Sequence, residues 1–320
     1  VEDLRQSIDP VSVDKEIERG QETLKKLVGK ADGFQYSADP LISGRHFSNT
    51  LFNIMRGGVF QNSYAFSVND FLQFISAWNL GLKDASHQLL AGQSTLVDRD
   101  SVIALAEQAG DPDLLRLSYE YLPLVFSRRH GDPSRPWNHF SIELRNEDGS
   151  SKLWYQGNWR DIFQNWEALA ISYPEYIESF IAKFVNASTA DGYNPYRISR
   201  DGIDWEVLEP DDPWSNIGYW GDHQVNYLVR LIEFSHQYHP GKLNDLFGRE
   251  IFVYADVPYR LNDYAELKRD PRNSVEFDDD RALEIDRRVK QKGSDGKLVT
   301  LDDGSIHRVN LVEKLLVSAL

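Results

Sequence analysis

The residues best suited to chemistry lie in one stretch, residues 191–224, which combines aromatic rings with carboxylates. Its rings belong to Trp205, Trp214, Trp220, Tyr193, Tyr196 and Tyr219, and its acids are Asp191, Asp201, Asp204, Glu206, Glu209, Asp211, Asp212 and Asp222. No helical or strand period organises these residues, so the stretch is predicted to be a long loop. Long loops in compact domains tend to be functional, and the aromatic content argues against disorder.

Aromatic rings combined with carboxylates are typical of a sugar-binding site. A pyranose has apolar C–H faces that flat rings can cover and an edge of hydroxyls that carboxylates, amides and arginines can bind. Cleavage of a glycosidic bond also requires a carboxylic acid that protonates the leaving oxygen. A neighbouring Trp can exclude water and raise the pKa of such an acid. The alternative is a long loop whose rings pack on a neighbouring domain and whose acids are solvated.

The composition of the chain argues against several classes of function. Its 50 acidic residues against 35 Lys and Arg give a net charge of -15, which argues against binding to nucleic acid or to an anionic membrane surface. Cys is absent, so the sequence provides no disulfide framework and no thiolate metal site. No metal ion or cofactor is expected, and the absence of Cys fits a cytoplasmic protein. The sequence predicts no membrane span, because it has no run of about 18 apolar residues.

The elements that must position the loop are mainly helices. Apolar periodicity predicts helices at residues 13–28, 49–58, 70–80, 101–109, 111–128, 161–169, 174–185, 222–238, 242–247, 278–292 and 310–320. Asp70 is a predicted N-cap, and Asp111-Pro112 is a predicted helix start. Residues 29–47 are predicted to be a loop, because Gly and Pro punctuate them. A short strand is predicted at residues 139–143 and a hairpin within residues 293–306.

These helices follow one another as hairpins, with long polar and aromatic loops at one end. The pattern predicts an all-α array or toroid with minor β-hairpins. At 320 residues the chain is long enough for one large domain or two ordinary ones. Residues 1–47 are predicted to form an N-terminal helix and linker, and residues 48–320 the helical domain.

Three short motifs between residues 154 and 259 resemble those of one enzyme family. Residues 159–165, WRDIFQN, resemble an Arg-Asp-x-x-Gln-Asp segment, and residues 192–197, GYNPYR, resemble a substrate loop that contains Gln-Pro. Residues 220–222, WGD, are similar to a Trp followed by the general-acid Asp at a helix start. This is the order found in the catalytic domain of the family-94 glycoside phosphorylases, such as cellobiose and chitobiose phosphorylase, which are six-hairpin glycosidases. The resemblance implies an (α/α)6-barrel-like domain, truncated here at its C-terminus.

The resemblance also implies roles for individual residues. Asp222 is the implied general acid, and the implied sugar contacts come from Arg160, Asp161, Gln164, Tyr193 and Trp220. The sequence departs from the family where His223 and Gln224 replace an Asp-Pro pair and Asn165 replaces an Asp. The family's later Trp-Asn-Asp motif and its phosphate-binding residues would lie beyond Leu320.

The function predicted from the loop and the resemblance together is cleavage of a glycosidic bond with inversion. In a phosphorolysis phosphate is the nucleophile, so the expected partners are an oligosaccharide or disaccharide and inorganic phosphate. In a hydrolysis a second carboxylate, roughly 6.5–9.5 Å from the acid, activates water. The candidates for that base are Asp204, Glu206, Asp211 and Asp212. The alternative is a non-catalytic glycan-binding or assembly domain in which Asp222 only caps a helix.

Overall fold

The computed structural model describes residues 9–125, 145–149, 152–192, 194–195, 197–205, 225–271 and 275–319. At Arg160, Leu261, Ser318 and Ala319 the description is limited to the backbone. In these ranges the chain is mostly α-helical and its sheets are small and antiparallel. This confirms the predicted helical class with minor β-hairpins, while the six-hairpin toroid stays a prediction. The predicted strand at residues 139–143 lies outside the described residues.

The helices of the described residues are numbered here in chain order. They are α1 (Pro10–Lys30), α2 (Pro40–Gly57), α3 (Val68–Trp78), α4 (Lys83–Leu89), α5 (Arg99–Ala109), α6 (Pro112–Glu120), α7 (Trp159–Ser172), α8 (Ile177–Asn186), α9 (Val225–Tyr238), α10 (Lys242–Phe247), α11 (Tyr264–Arg269), α12 (Asp279–Lys292) and α13 (Leu311–Ala319). Short 3₁₀ helices span Leu80–Leu82, Pro174–Tyr176 and Ser294–Lys297. A helix with the length and apolar character needed to cross a membrane does not occur in the described part of the chain.

The strands are short and pair only in small sheets. They are β1 (Val59–Phe60), β2 (Ala65–Ser67), β3 (Leu96–Asp98), β4 (Leu124–Val125), β5 (Gln156–Asn158), β6 (Arg197–Ser199), β7 (Gly202–Asp204), β8 (Phe252–Val253), β9 (Tyr259–Leu261), β10 (Val275–Phe277) and β11 (Arg308–Val309). β1 pairs with β4, β2 with β3, β8 with β11 and β9 with β10, and β5, β6 and β7 form a three-stranded sheet with β6 in the middle.

An Asp-Pro pair begins three of the helices. Asp9, Asp39 and Asp111 precede α1, α2 and α6, and each carboxylate accepts a hydrogen bond from a backbone N–H of the first turn. Proline suits the following position because its fixed φ is helical and it has no N–H to leave unpaired. The start predicted at Asp111 is confirmed. The loop predicted over residues 29–47 is wrong from Pro40 onward, because the same signal begins α2 there.

Other helix boundaries also differ from the prediction, and the physical cause is visible at two of them. Ser67, and not Asp70, caps α3, because the Ser67 hydroxyl accepts the backbone N–H of Asp70 at 3.4 Å. The Asp70 carboxylate instead accepts hydrogen bonds from the Tyr121 hydroxyl at 2.5 Å and from Arg200 Nη2 at 2.9 Å. The helix predicted to reach residue 128 ends at Glu120, because the chain then enters β4 and pairs with β1.

Aromatic side chains fill the interface between α7 and α8. Trp159, Phe163 and Trp166 follow the helical period, so they lie on one face of α7, and all three are buried. The ring of Phe163 lies 4.7 Å from that of Phe184, and the ring of Trp166 lies 5.2 Å from that of Phe180. Ring pairs at such distances stabilise a fold beyond the gain from burial alone. The orientation of α7 is therefore set by its buried face.

α2 is another neighbour of α7, and the two helices approach closely. A Cβ atom added at Gly57 would lie 2.5 Å from Leu169 Cβ and 3.0 Å from the backbone oxygen of Asn165. The Asn53 amide also donates a hydrogen bond to the Ser172 hydroxyl at 3.1 Å. α2 runs through the domain boundary predicted at residue 47. That division of the chain stays a prediction.

Candidate functional site

The sheet of β5, β6 and β7 brings separate sequence segments to one edge. Because neighbouring strands are antiparallel, the end of β5, the start of β6 and the end of β7 coincide. Asn158 pairs with Arg197, and Arg197 pairs with Asp204. We call these three residues the site edge. Paired residues in antiparallel strands lie roughly 4.5–5.5 Å apart at Cα.

The chain segments that meet at the site edge are those predicted to bind sugar. Residues 159–165, the first of the motifs, follow Asn158 directly as the start of α7. Residues 192–197, the second motif, end at Arg197, which is the first residue of β6. Asp204 and Trp205 begin the segment that leads to Asp222. The topology of one small sheet therefore places side by side the first two motifs and the start of the stretch that precedes the third in sequence.

The first turn of α7 holds the predicted pair Arg160-Asp161. The backbone of both residues is helical, and the Asp161 side chain is half-buried. A carboxylate in the first turn is favoured by the positive end of the helix dipole. Gln164 lies three residues after Asp161 and is exposed, so both are on the face away from buried Trp159. The structure leaves the sugar-binding roles of these residues as predictions.

Asn165 marks one departure from the family motif, and its side chain is buried. Its Oδ1 atom accepts a hydrogen bond from Arg56 Nε at 3.2 Å. Arg56 belongs to α2, so the contact joins α2 to α7. At this position the chain uses an amide for helix packing.

Asp204 is a hydrolase-base candidate whose side chain lies within the described residues. Its Oδ2 atom accepts hydrogen bonds from Arg197 Nε at 3.0 Å and Nη2 at 2.8 Å, and its Oδ1 atom accepts one from Lys297 Nζ at 2.8 Å. Burial alone would raise the pKa of Asp204, but Lys297 and Arg197 together hold it below its ordinary value. The carboxylate therefore stays ionised with both oxygens engaged.

The remaining predicted site residues lie outside the described residues. They are Tyr193, Glu206, Asp211, Asp212, Trp220 and Asp222. The helix predicted from residue 222 is described from Val225 and ends at Tyr238 as predicted. α9 lies against the helices that precede it: Arg230 is 3.5 Å from Glu167 on α7, and the Ser235 hydroxyl donates to Glu178 on α8 at 2.6 Å. α9 thus packs against the helix that carries Arg160-Asp161.

A cluster of buried charges lies between α6, α8 and the 3₁₀ helix Ser294–Lys297. Arg116 Nη2 donates to Asp295 Oδ2 at 2.7 Å, and Arg116 Nη1 donates to Glu120 at 3.3 Å. Lys183 Nζ lies 3.7 Å from Glu120 Oε2. Burial lowers the pKa of Lys183 to about 8, against the effect of Glu120. Burial raises the pKa of Asp295 to about 6, although Arg116 opposes this shift.

The space within this charge cluster is small. A cavity of about 10 Å³ is lined by Lys183, Glu120, Trp78, Ile203 and other residues. That is about the space that one water occupies, so no sugar ring can enter it. Because Ile203 of β7 also lines this cavity, the cluster lies against β7 and supports that strand. Sequence reasoning missed it, although the spacing of Arg116 and Glu120 on an apolar helix was an available signal.

Comparison with known families identifies one match. Residues 60–123 match the model of the glycoside hydrolase family 149 insertion domain 1. The matched segment runs from β1 through α6 and contains Arg116 and Glu120, but it ends before the site edge. It covers about a fifth of the chain and supports a relationship to glycoside hydrolases. A search of curated proteins found no match.

Proposed function

We propose that this chain belongs to a carbohydrate-active enzyme that cleaves a glycosidic bond with inversion, with Asp222 as the general acid. The observation that supports the proposal is the site edge, where the first two motifs lie beside the start of the stretch that precedes the third in sequence. The match to a glycoside hydrolase insertion domain supports the same class of substrate. An (α/α)6-barrel arrangement of residues 48–320 is part of the proposal.

In this proposal each predicted residue has a defined task. Asp222 donates its proton to the glycosidic oxygen as the bond from that oxygen to the anomeric carbon breaks. The nucleophile adds to the opposite face of the sugar, so the configuration inverts. Binding groups hold the sugar in place; these are Arg160 and Asp161 with Gln164 on the hydroxyls, and Tyr193 and Trp220 on the ring faces. Trp220 also shields the acid from water, which favours its protonated form.

The nucleophile is either phosphate or water. Phosphate attacks as an oxyanion, so a phosphorolysis needs no protein base. Water needs a base, and the candidates are Asp204, Glu206, Asp211 and Asp212. Both oxygens of Asp204 are engaged by cations, and its pKa is below the ordinary value. A weak base of this kind is poorly suited to remove a proton near neutral pH.

The experiment that tests the proposal is product analysis with the full-length protein. Cellobiose, laminaribiose, chitobiose and maltose are incubated with and without inorganic phosphate, and the Asp222→Asn variant is assayed in parallel. A sugar 1-phosphate that forms only with phosphate and is lost in the variant supports a phosphorylase. Release without phosphate, also lost in the variant, supports a hydrolase. Glycan binding without release by the wild-type protein contradicts the proposal and favours the non-catalytic alternative.

A further inference from the structure

We infer that Asp204 is a positioning residue that, with Arg197 and Lys297, holds the site edge in place. The inference rests on the proposed function, because the edge matters through the sugar-binding segments that start there. It assigns to Asp204 a task other than that of the hydrolase base.

The side chains of Arg197, Asp204 and Lys297 form one hydrogen-bonded network, which we call the clamp. One carboxylate joins two cations that come from different elements, since Arg197 is on β6, Asp204 on β7 and Lys297 at the end of the 3₁₀ helix Ser294–Lys297. Lys297 Nζ also donates to the backbone oxygen of Ile203 at 2.6 Å. Lys297 therefore holds both the backbone and the side chain of the last residues of β7.

The other end of the β6–β7 hairpin is held by separate contacts. Trp78 Nε1 donates to the backbone oxygen of Arg200 at 2.9 Å, and the Arg200 guanidinium donates to Asp70 at 2.9 Å. The Ser294 hydroxyl donates to the backbone oxygen of Asp201. Because these contacts do not involve the clamp, loss of the clamp should loosen the site edge and leave the turn of the hairpin in place.

Because the clamp is partly exposed, its effect on the position of the site edge can be separated from its effect on the stability of the fold. The side chain of Arg197 is 30% exposed and that of Asp204 is 36% exposed. Ion pairs with such exposure contribute little to global stability because water screens them. A change in the clamp should therefore alter the geometry of the edge more than the stability of the fold.

The kinetic test uses the full-length protein and the disaccharide among cellobiose, laminaribiose, chitobiose and maltose that it cleaves fastest. Asp204→Asn and Lys297→Met should each lower kcat by up to roughly 100-fold, the effect of a displacement of about 1 Å in an active site. The loss of kcat in the double variant should be smaller than the product of the two single losses, because both changes break the contact between Asp204 and Lys297. Lys297→Arg should keep most of the wild-type rate. In each variant kcat should depend on pH as it does in the wild-type protein.

A matched control is the exposed pair of Arg249 and Glu107. Its side chains are 37% and 36% exposed, and it joins α5 to the residue two positions after α10, so neither partner belongs to the clamp. Glu107→Gln should leave kcat unchanged. If Asp204→Asn removes turnover together with the acidic limb of the pH profile while Lys297→Met leaves kcat intact, Asp204 is a general base and the inference is overturned.

A second measurement decides the inference even if no disaccharide is cleaved. Amide hydrogen exchange reports local opening, so residues 154–163 and 197–205 are followed in the wild-type protein, Asp204→Asn and Lys297→Met. Faster exchange in both variants, with an unfolding temperature close to that of Glu107→Gln, supports the clamp. Exchange equal to that of the wild-type protein overturns it. Failure of the wild-type protein to cleave any substrate would instead count against the proposed function.

Discussion

Arg116 Nη2 lies 2.7 Å from Asp295 Oδ2, at a place where neither side chain is exposed. The contact joins α6 to the 3₁₀ helix Ser294–Lys297 across 179 residues of sequence. The last residue of that 3₁₀ helix, Lys297, binds Asp204 at the site edge. The buried partner Asp295 is therefore two residues before Lys297, whose contact with Asp204 holds the site edge.

Replacement of Arg116 should destabilise the protein strongly. Arg116→Met leaves Asp295 buried without its cation and leaves Glu120 with Lys183 alone. Loss of one partner of a buried pair costs about 3–5 kcal/mol. The free energy of unfolding is measured by urea denaturation at neutral pH. Arg269→Met is the control, because Arg269 pairs with Glu266 on an exposed helix face. A loss from Arg116→Met no larger than that of the control contradicts this role of the buried pair.

The pKa of Asp295 gives a specific dependence of stability on pH. Burial raises this pKa from 3.8 to about 6. The nearby acids Asp113 and Glu120 add to the rise, while Arg116 and Asn79 oppose it. In this range the native state binds more protons at Asp295 than the unfolded state. The contribution of Asp295 is therefore fully present below pH about 4 and is lost as the pH rises through about 6.

The Asp295→Asn variant isolates that contribution. Urea denaturation from pH 4 to pH 7 is compared between the wild-type protein and the variant. The free energy of unfolding of the wild-type protein should fall relative to that of the variant, by about 3 kcal/mol for a shift of about two pKa units. A constant difference across this range would show that the pKa of Asp295 is not raised.

Two glycines in helices should respond oppositely to replacement by Ala. Gly57→Ala should destabilise the protein, because the new Cβ would lie 2.5 Å from Leu169 Cβ and force α2 away from α7. Gly20 has no atom within 4 Å of the corresponding position. Gly20→Ala should therefore stabilise α1 by up to about 1 kcal/mol, the difference in helix propensity.

Thermal unfolding of both glycine variants measures the difference directly. The expected order of unfolding temperatures is Gly20→Ala highest, then the wild-type protein, then Gly57→Ala. If Gly57→Ala unfolds at the temperature of the wild-type protein or above it, the close approach of α2 and α7 is not present in solution.

Local signals in the sequence predicted most of the helices, although α4 and α11 were missed. Asp111-Pro112 and Asp278 marked helix starts that the structure confirms, because a cap acts on the N–H groups of its own first turn. The same signal at Asp39-Pro40 was overlooked among the Gly and Pro residues of residues 29–47. Asp70 was misassigned because its partner Arg200 is 130 residues away. A capping pattern cannot reveal a partner at such a distance.

The sequence predicted which segments contribute to the candidate site, but not how these segments are arranged in space. Residue types identified the segment around Asp222, since carboxylates beside aromatic rings suit sugar chemistry. The resemblance to the family-94 phosphorylases identified the segment around Arg160. Their meeting point depends on β5, β6 and β7, which have three residues each and are too short to show a strand period. The ion pairs of Asp204 became visible only in the structure, because Lys297 lies 93 residues away in sequence.

The proposal that Asp222 protonates the oxygen of the leaving group can be tested by the dependence of the rate on the leaving group. Rates of the full-length protein and of Asp222→Asn are measured on the disaccharide that the protein cleaves and on the glycosyl fluoride of the same sugar. Fluoride departs without a proton, so it does not need the acid. The variant should lose roughly 10²- to 10⁴-fold on the disaccharide and far less on the fluoride. An equal loss on both substrates, or no loss on the disaccharide, would contradict the claim.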